Sequence, residues 1–352
     1  MTYFRKHLEL MAGYQPGEQP PDGHYIKLNT NENPYPPSPL VIETLMKSLS
    51  DHRLSLYPSP LCDELRIQAS AVYDYPPDWI LVGNGSDELL NIIFRAFLGK
   101  GDRVLYPYPT YTLYRVLALL QEADFEEVPF EKDYSLPKEI FINQAQMKVV
   151  CNPNSPTGTF ITKDVIEDLL KSSSCPVIID EAYVDFAYDN TLSLLEKYSH
   201  LIVLRTLSKS FSLAGIRIGI LIAQPEMIHG LLKLKDSYNV NWFSQKAAVA
   251  ALRDIDYMLN NVEKIKQTRK EFSRAMSELG YLVLPSQANF VMVQRPGGNL
   301  EAEYLYLKQN HILVRYFPEW PDTMRISIGT ASDMQILIQV LKKKPKDNKN
   351  EV

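Results

Sequence analysis

The segment Arg205-Thr206-Leu207-Ser208-Lys209-Ser210-Phe211-Ser212-Leu213-Ala214-Gly215-Ile216-Arg217 sets one lysine among small hydroxyl residues, with an arginine eight positions on. A lysine amine condenses with an aldehyde to a Schiff base, and pyridoxal phosphate is the commonest aldehyde that proteins bind. Ser208 and Arg217 could then supply a hydroxyl and a planar cation for its phosphate. The plain alternative is that Lys209 is one surface lysine among many. A second segment, Val177-Ile178-Ile179-Asp180-Glu181-Ala182-Tyr183, puts a carboxylate at the end of an apolar run. A pyridine ring accepts electrons well only while its nitrogen is protonated, and a nearby acid in a low-dielectric site keeps it so. Asp180 suits that task, and Tyr183 could donate to the ring's phenolic oxygen. Taken alone, the aspartate would equally serve as a helix cap.

Two further segments have the same build, a strand running into a polar turn. Asn152-Pro153-Asn154-Ser155-Pro156-Thr157-Gly158 is a stiff turn whose short polar side chains can point into a crevice, or an ordinary strand-to-helix loop. Val82-Gly83-Asn84-Gly85-Ser86-Asp87-Glu88 passes through glycines into a helix start, where backbone N–H groups bind phosphate and Ser86 adds a hydroxyl. Asp87 and Glu88 favour the helix dipole but repel phosphate, so both are expected to turn away from it. A dinucleotide loop competes for this segment, but the third glycine of that fingerprint is missing.

Positioning these residues requires a scaffold, and the sequence indicates which one. Apolar, β-branched runs fall at Trp79–Val82, Arg103–Tyr106, Phe125–Val128, Lys148–Cys151, Val177–Asp180, Leu201–Leu204 and Ile218–Ile222. Helix-like stretches at Asp87–Leu98, Tyr111–Gln121, Lys163–Lys171 and Glu226–Lys235 separate most of them. Continuous apolar strands spaced by helices predict a mostly parallel sheet covered on both faces, a three-layer α/β/α domain. Ligands in such sheets bind at the carboxyl ends of the strands, where all four segments lie. The first 40 residues read as a loop-like arm, rich in proline from Gln15 to Asp22 and from Asn33 to Pro39. After about residue 244, helices at Ser244–Leu259 and Val262–Leu279, strands at Phe290–Gln294, Ile312–Val314 and Met324–Ile328, and a helix from Ser332 predict a smaller α+β domain. The expected division is 45–243 for the large domain, with the arm 1–44 and the small domain 244–352. The lysine-rich tail from Lys342 is expected to be a solvated end.

Composition agrees with an α/β enzyme. The 352 residues are 45% apolar and 22% charged, with a formal charge of −5, which disfavours disorder and nucleic-acid binding. Membrane spans and a signal peptide are not expected: no apolar run approaches the roughly 18 residues a span needs, and the first residues lack an apolar core segment. Three cysteines without a C-x-x-C spacing argue against a disulfide scaffold or a zinc ribbon, so no metal is expected. A cytoplasmic location follows from these exclusions.

Taken in order with Pro109-Thr110-Tyr111, the four segments resemble the fold-type I enzymes that use pyridoxal 5'-phosphate. Leu28-Asn29-Thr30-Asn31-Glu32-Asn33-Pro34, Tyr57-Pro58, Gly85-Ser86-Asp87-Glu88, Pro156-Thr157-Gly158, Asp180-Glu181-Ala182-Tyr183, Arg205-Thr206-Leu207-Ser208-Lys209 and Met324-Arg325-Ile326-Ser327-Ile328-Gly329-Thr330 extend the resemblance nearly end to end to the histidinol-phosphate aminotransferases. The resemblance implies that Lys209 links to the cofactor and moves protons, and that Asp180 and Tyr183 hold its ring. Tyr111 would stack on that ring, while Gly85, Ser86, Asp87, Ser208 and Arg217 would surround the phosphate. Tyr57 would reach the phosphate from a partner subunit of a homodimer, and Tyr14, Arg315 and Arg325 would contact substrate. Relatives carry asparagine immediately before Pro-Thr-Gly, where this chain has Ser155; either Asn154, one step earlier, takes over after a small shift of the loop, which is the first choice, or Ser155 and Tyr183 suffice. The implied reaction exchanges an amino group between glutamate/2-oxoglutarate and the imidazole-acetol-phosphate/histidinol-phosphate pair. Its rivals are an aromatic amino acid aminotransferase, threonine-phosphate decarboxylase and a non-catalytic pyridoxal-phosphate-binding module.

Overall fold

A computed structural model describes residues 3–9, 11–14, 16–20, 25–50 and 53–344. Gln15, Pro21 and Asp22 of the proline-rich stretch, and the tail beyond Lys344, lie outside the described residues.

The arm holds a single helical turn, α1 (Lys6–Glu9), and a short strand, β1 (Ile26–Leu28). Helix α2 (Pro39–Leu49) begins where its proline costs nothing: Pro39 occupies the first turn, and the Ser38 hydroxyl accepts from the Leu40 N–H at 3.1 Å. Helix α3 (Asp63–Tyr73) follows. The regular alternation then runs β2 (Ile80–Gly83), α4 (Ser86–Phe97), β3 (Arg103–Tyr108), α5 (Leu113–Leu120), β4 (Asp124–Pro129), α6 (Lys138–Ile142), β5 (Met147–Cys151), α7 (Lys163–Ser172), β6 (Val177–Asp180), β7 (Leu201–Thr206), β8 (Gly219–Ile222) and α8 (Pro225–Leu232). The remainder is α9 (Trp242–Arg253), α10 (Ile255–Glu278), β9 (Leu282–Val283), β10 (Phe290–Gln294), α11 (Glu301–Gln309), β11 (Ile312–Tyr316), β12 (Thr323–Ser327) and α12 (Ala331–Lys343).

The seven expected strands form one sheet in the order β2-β8-β7-β6-β5-β3-β4. Only β8 runs against its neighbours; the other pairings are parallel. Alternate residues feed two apolar layers. Ile178, Ile202, Leu204 and Leu221 pack on one face, and Val177, Ile179, Val203 and Ile220 on the other. Burial on both faces is why these strands read as unbroken apolar runs. Register brings Cys151 beside Asp180, and Thr206 beside Gly219, so the carboxyl ends of β5, β6 and β7 form one ledge.

The second sheet has the order β1-β11-β12-β10-β9. Here the structure corrects the reading of the arm as loop: Ile26–Leu28 pairs in parallel with Ile312–Val314 as an edge strand. Residues 45 and 244 fall inside helices α2 and α9, which pack on each other, with α9 also packed on α3.

Candidate active site

Asp180 and Glu181 are adjacent acids with different commitments. Glu181 is buried against Arg205, with Oε2 2.7 Å from Nη2, and its Oε1 accepts from the Thr191 hydroxyl and N–H, each at 2.7 Å. Asp180, 3% exposed, has no cation within ion-pair distance among the described residues. It accepts the Tyr114 hydroxyl at 2.7 Å on Oδ2 and the Ala182 N–H at 3.2 Å on Oδ1. Burial raises its pKa from 3.8 to about 6, against the pull of these hydrogen bonds. A buried carboxylate facing a cavity and lacking a countercharge is a site for a cationic ring nitrogen.

Lys209 follows the end of β7 and reaches the same cavity. Its ammonium donates to the Thr30 carbonyl at 3.3 Å and stands 5.6 Å from the centre of the Tyr183 ring. Burial, then the nearby Arg325 charge, lowers its pKa from 10.5 to about 8, which raises the fraction of nucleophilic amine near neutral pH. The Tyr183 hydroxyl accepts from Asn31 Nδ2 at 3.0 Å. Its pKa is pushed up to about 12 by burial, opposed by Arg325, so the phenol keeps its proton and can donate to a ring oxygen. Asn31 is fixed in turn, because its Oδ1 accepts from the Ser327 hydroxyl at 2.9 Å.

A phosphate cradle lies where α4 begins beside β7 and β8. Gly85 has φ +83°, and a Cβ there would run into the Arg217 guanidinium. A Cβ on Gly219 would come within 2.6 Å of the Ser86 nitrogen, so both glycines are required for this close approach. Ser86, Thr206, Ser208 and Arg217 line the cavity together. Arg217 donates to Ser208 Oγ at 3.4 Å. The expected turning-away holds for Glu88, which accepts from the Asn84 N–H and from Asn239 Nδ2. It fails for Asp87. That carboxylate lies on the cavity wall, 3.3 Å from Arg217 Nη2, and accepts the Tyr111 hydroxyl at 3.1 Å. Pairing with Arg217 offsets its repulsion of an anion.

The opposite wall carries two cations. Arg315 and Arg325 are directly opposed across β11 and β12. Arg325 donates to Ser155 Oγ at 3.2 Å and to the Asn29 carbonyl at 2.8 Å, while its buried Nε has no protein partner. Like charges set opposite one another are unfavourable until an anion joins them. Tyr14 lines the same space, with its ring edge-on to Tyr111 at 5.7 Å.

The cavity, about 220 Å³, thus brings together Tyr14, Ser86, Asp87, Tyr111, Asp180, Tyr183, Ser208, Lys209, Arg217, Arg315 and Arg325, with Gly85 just behind the wall. Asn154, the first choice to replace the missing asparagine, is not among them. Its amide is consumed by Thr110, the Pro109 carbonyl and Thr157, at 2.8, 2.9 and 2.8 Å, and Ser155 lines the cavity instead. Tyr57 is 80% exposed, stacked on Tyr238 at 4.3 Å and away from this chain's own cavity. Thr30, Asn31, Tyr114, Thr206, Trp320 and Glu319 have places in or beside the site that motif reading left unassigned. Tyr114 was legible in principle as a tyrosine three positions after Tyr111, although α5 begins only at Leu113 and leaves Tyr111 outside the helix.

The donor set fits pyridoxal 5'-phosphate: an unpaired buried acid for the ring nitrogen, a phenol for the ring oxygen, a depressed lysine for the aldehyde, and a helix start with hydroxyls and Arg217 for the phosphate. Residues 23–341 match the family "aminotransferase class I and II". The chain is 44% identical over 345 residues to a histidinol-phosphate aminotransferase of Rhodopirellula baltica, covering 97% of this chain and 95% of that one. It is 44% identical over 347 residues to histidinol-phosphate aminotransferase 1 of Trichormus variabilis, covering 97% and 98%. The fold matches the crystal structure of histidinol-phosphate aminotransferase from Sinorhizobium meliloti in complex with pyridoxal-5'-phosphate, with TM-score 0.87, 22% identity, and 98% and 99% of the two chains covered.

Proposed function

Because this chain belongs to the class I and II aminotransferase family, we propose that it catalyses L-histidinol phosphate + 2-oxoglutarate = imidazole-acetol phosphate + L-glutamate, with pyridoxal 5'-phosphate as its cofactor. The observation that carries the substrate choice is the opposed Arg315–Arg325 pair in the cavity that Lys209 and Asp180 also line. Both substrates must use one site in turn, one bringing carboxylates and the other a phosphate ester. A planar guanidinium fork suits either anion.

The cofactor, when bound, supplies an aldehyde that carries the amino group and a ring that accepts electrons. The chain's residues do the rest. Lys209 Nζ would hold the cofactor and, once displaced by the substrate's own amine, would be the base that takes the α-carbon proton and the acid that gives it back in a 1,3-shift. Asp180 keeps the ring nitrogen protonated. Tyr183, steadied by Asn31, donates to the ring oxygen, and Ser155 stands nearby. Ser86, Ser208 and Arg217 hold the phosphate, with Asp87 orienting Arg217, and Tyr111 covers the ring. Arg325, whose buried Nε has no protein partner, grips the substrate's first anionic group, Arg315 the second, and Tyr14 closes the side.

The working form is a homodimer in the cytoplasm, in which the partner's copy of Tyr57 completes the phosphate site. Its support is an exposed apolar stretch, Met46, Leu49, Leu54, Leu56, Tyr57 and Ile67, on and between α2 and α3. A face of this kind marks an association surface.

The deciding assay mixes purified protein, pyridoxal phosphate and glutamate with a panel of keto acids and measures 2-oxoglutarate. Preference for imidazole-acetol phosphate supports the proposal. Preference for aromatic keto acids without phosphate, or release of carbon dioxide from threonine phosphate, would overturn it.

A further inference from the structure

Asp180 is held from behind by a side chain with no part in the mechanism above. Tyr114, on the first turn of α5, is fully buried, and its hydroxyl donates to Asp180 Oδ2 at 2.7 Å. The phenol cannot swing aside: Phe94 stacks on it at 6.4 Å, while Tyr106 and Tyr111 meet it edge-on at 5.8 and 5.6 Å. Burial and the Asp180 charge push the Tyr114 pKa far above its usual value, so the oxygen keeps its proton and serves as a donor. Apart from the Ala182 N–H, the other groups facing Asp180 disfavour a charged carboxylate or leave it unchanged. Cys151, its neighbour on β5, has its thiol pushed up by burial and stays neutral. Asp87 and Glu181 add negative charge. The remaining donor is the Ala182 N–H, at a longer 3.2 Å.

We propose that Tyr114 is the positioning residue that keeps Asp180 ionised and its carboxylate plane fixed, and so keeps the proton on the cofactor's ring nitrogen. This rests on the aminotransferase reading. Between the nitrogen and Asp180 one proton is shared, and the weaker base surrenders it. A hydrogen bond donated to a carboxylate stabilises its charged form and lowers its basicity. Without the Tyr114 hydroxyl, Asp180 becomes the stronger base, takes the proton, and leaves a neutral pyridine facing a neutral acid.

The test uses full-length Tyr114→Phe reconstituted with pyridoxal phosphate labelled with nitrogen-15 in the ring, followed by nitrogen-15 NMR over a pH series and by cofactor titration. Wild type should show a pyridinium signal. In Tyr114→Phe the signal should move toward neutral pyridine at the same pH, with cofactor affinity weakened about tenfold, the range for losing a hydrogen bond to a charged group. Phe94→Leu disturbs the same packing without touching the hydroxyl; it should lower thermal stability yet keep the wild-type ring signal. Should Tyr114→Phe not fold, 3-fluorotyrosine at position 114 retains the shape with a stronger donor, and should hold the ring protonated to higher pH than wild type. An unchanged ring signal in either Tyr114 variant, or an equal shift in Phe94→Leu, would overturn the role of Tyr114 alone. Failure of the wild-type chain to take up pyridoxal phosphate would overturn the aminotransferase reading with it.

Discussion

Asp180 illustrates how a side chain can serve binding at the expense of the cofactor-free fold. Its folded pKa near 6 lies above the 3.8 of an exposed carboxyl, so folding favours the protonated form. That contribution is complete below about pH 3.8 and is lost as pH rises through about 6. Asp180→Asn, neutral at every pH, should therefore make the cofactor-free protein more stable at pH 7. The gain should be on the order of 3 kcal/mol, from about 2 units at about 1.36 kcal/mol each, and should vanish toward pH 4. Urea unfolding at several pH values checks this. The same variant should bind pyridoxal phosphate far more weakly. Lys209 makes a second prediction at this scale. With its amine depressed to about 8, the rate of cofactor uptake should climb from pH 7 and level off above pH 9, as stopped-flow absorbance would record. A rise that continues to the ordinary lysine range near 10.5 would contradict the assignment.

Among the elements, the tight crossing of β8 and α4 sets the phosphate cradle. Gly219→Ala would drive a methyl group to within 2.6 Å of the Ser86 backbone and push the α4 start outward. Overpacking of this kind costs about 1–3 kcal/mol, and phosphate grip should suffer most. Affinity for pyridoxal phosphate should fall by more than tenfold while affinity for unphosphorylated pyridoxal changes little, a contrast that fluorescence titration can measure. This scale also shows where sequence reading succeeds. Apart from β4, an edge strand that carries Glu126 and Glu127 and is only partly buried, the strands of the large sheet were legible because burial on both faces demands unbroken apolar runs such as Val177–Ile179 and Leu201–Leu204. The edge strand Ile26–Leu28 was not, since three residues carry no period and a distant partner, Ile312–Val314, fixes it. The direction of Asp87 and the displacement of Asn154 by Ser155 were illegible for a similar reason. Arg217 and Thr110, far along the chain, decide them.

For the whole molecule, the arm and the small sheet supply what the large sheet lacks. Asn31, Thr30 and Tyr14 come from the arm, Arg315 and Arg325 from the small sheet, and the chemistry sits where they meet the ledge of β5, β6 and β7. An isolated large domain should bind cofactor poorly for that reason. The exposed apolar stretch across α2 and α3 predicts that Leu56→Glu combined with Met46→Glu yields monomers by light scattering. Those monomers should show a large loss of cofactor affinity, because each site would lack the partner's copy of Tyr57. Full affinity in a verified monomer would contradict the shared site.

Everything in the mechanism depends on one covalent attachment. Reducing the reconstituted protein with borohydride, digesting it and sequencing the peptides by mass spectrometry locates that attachment directly. The expected result is a single phosphopyridoxyl group on Lys209, absent from Lys209→Ala along with the visible absorption of the bound cofactor. A label on another lysine, or an unlabelled protein that still transfers amino groups, would contradict the account.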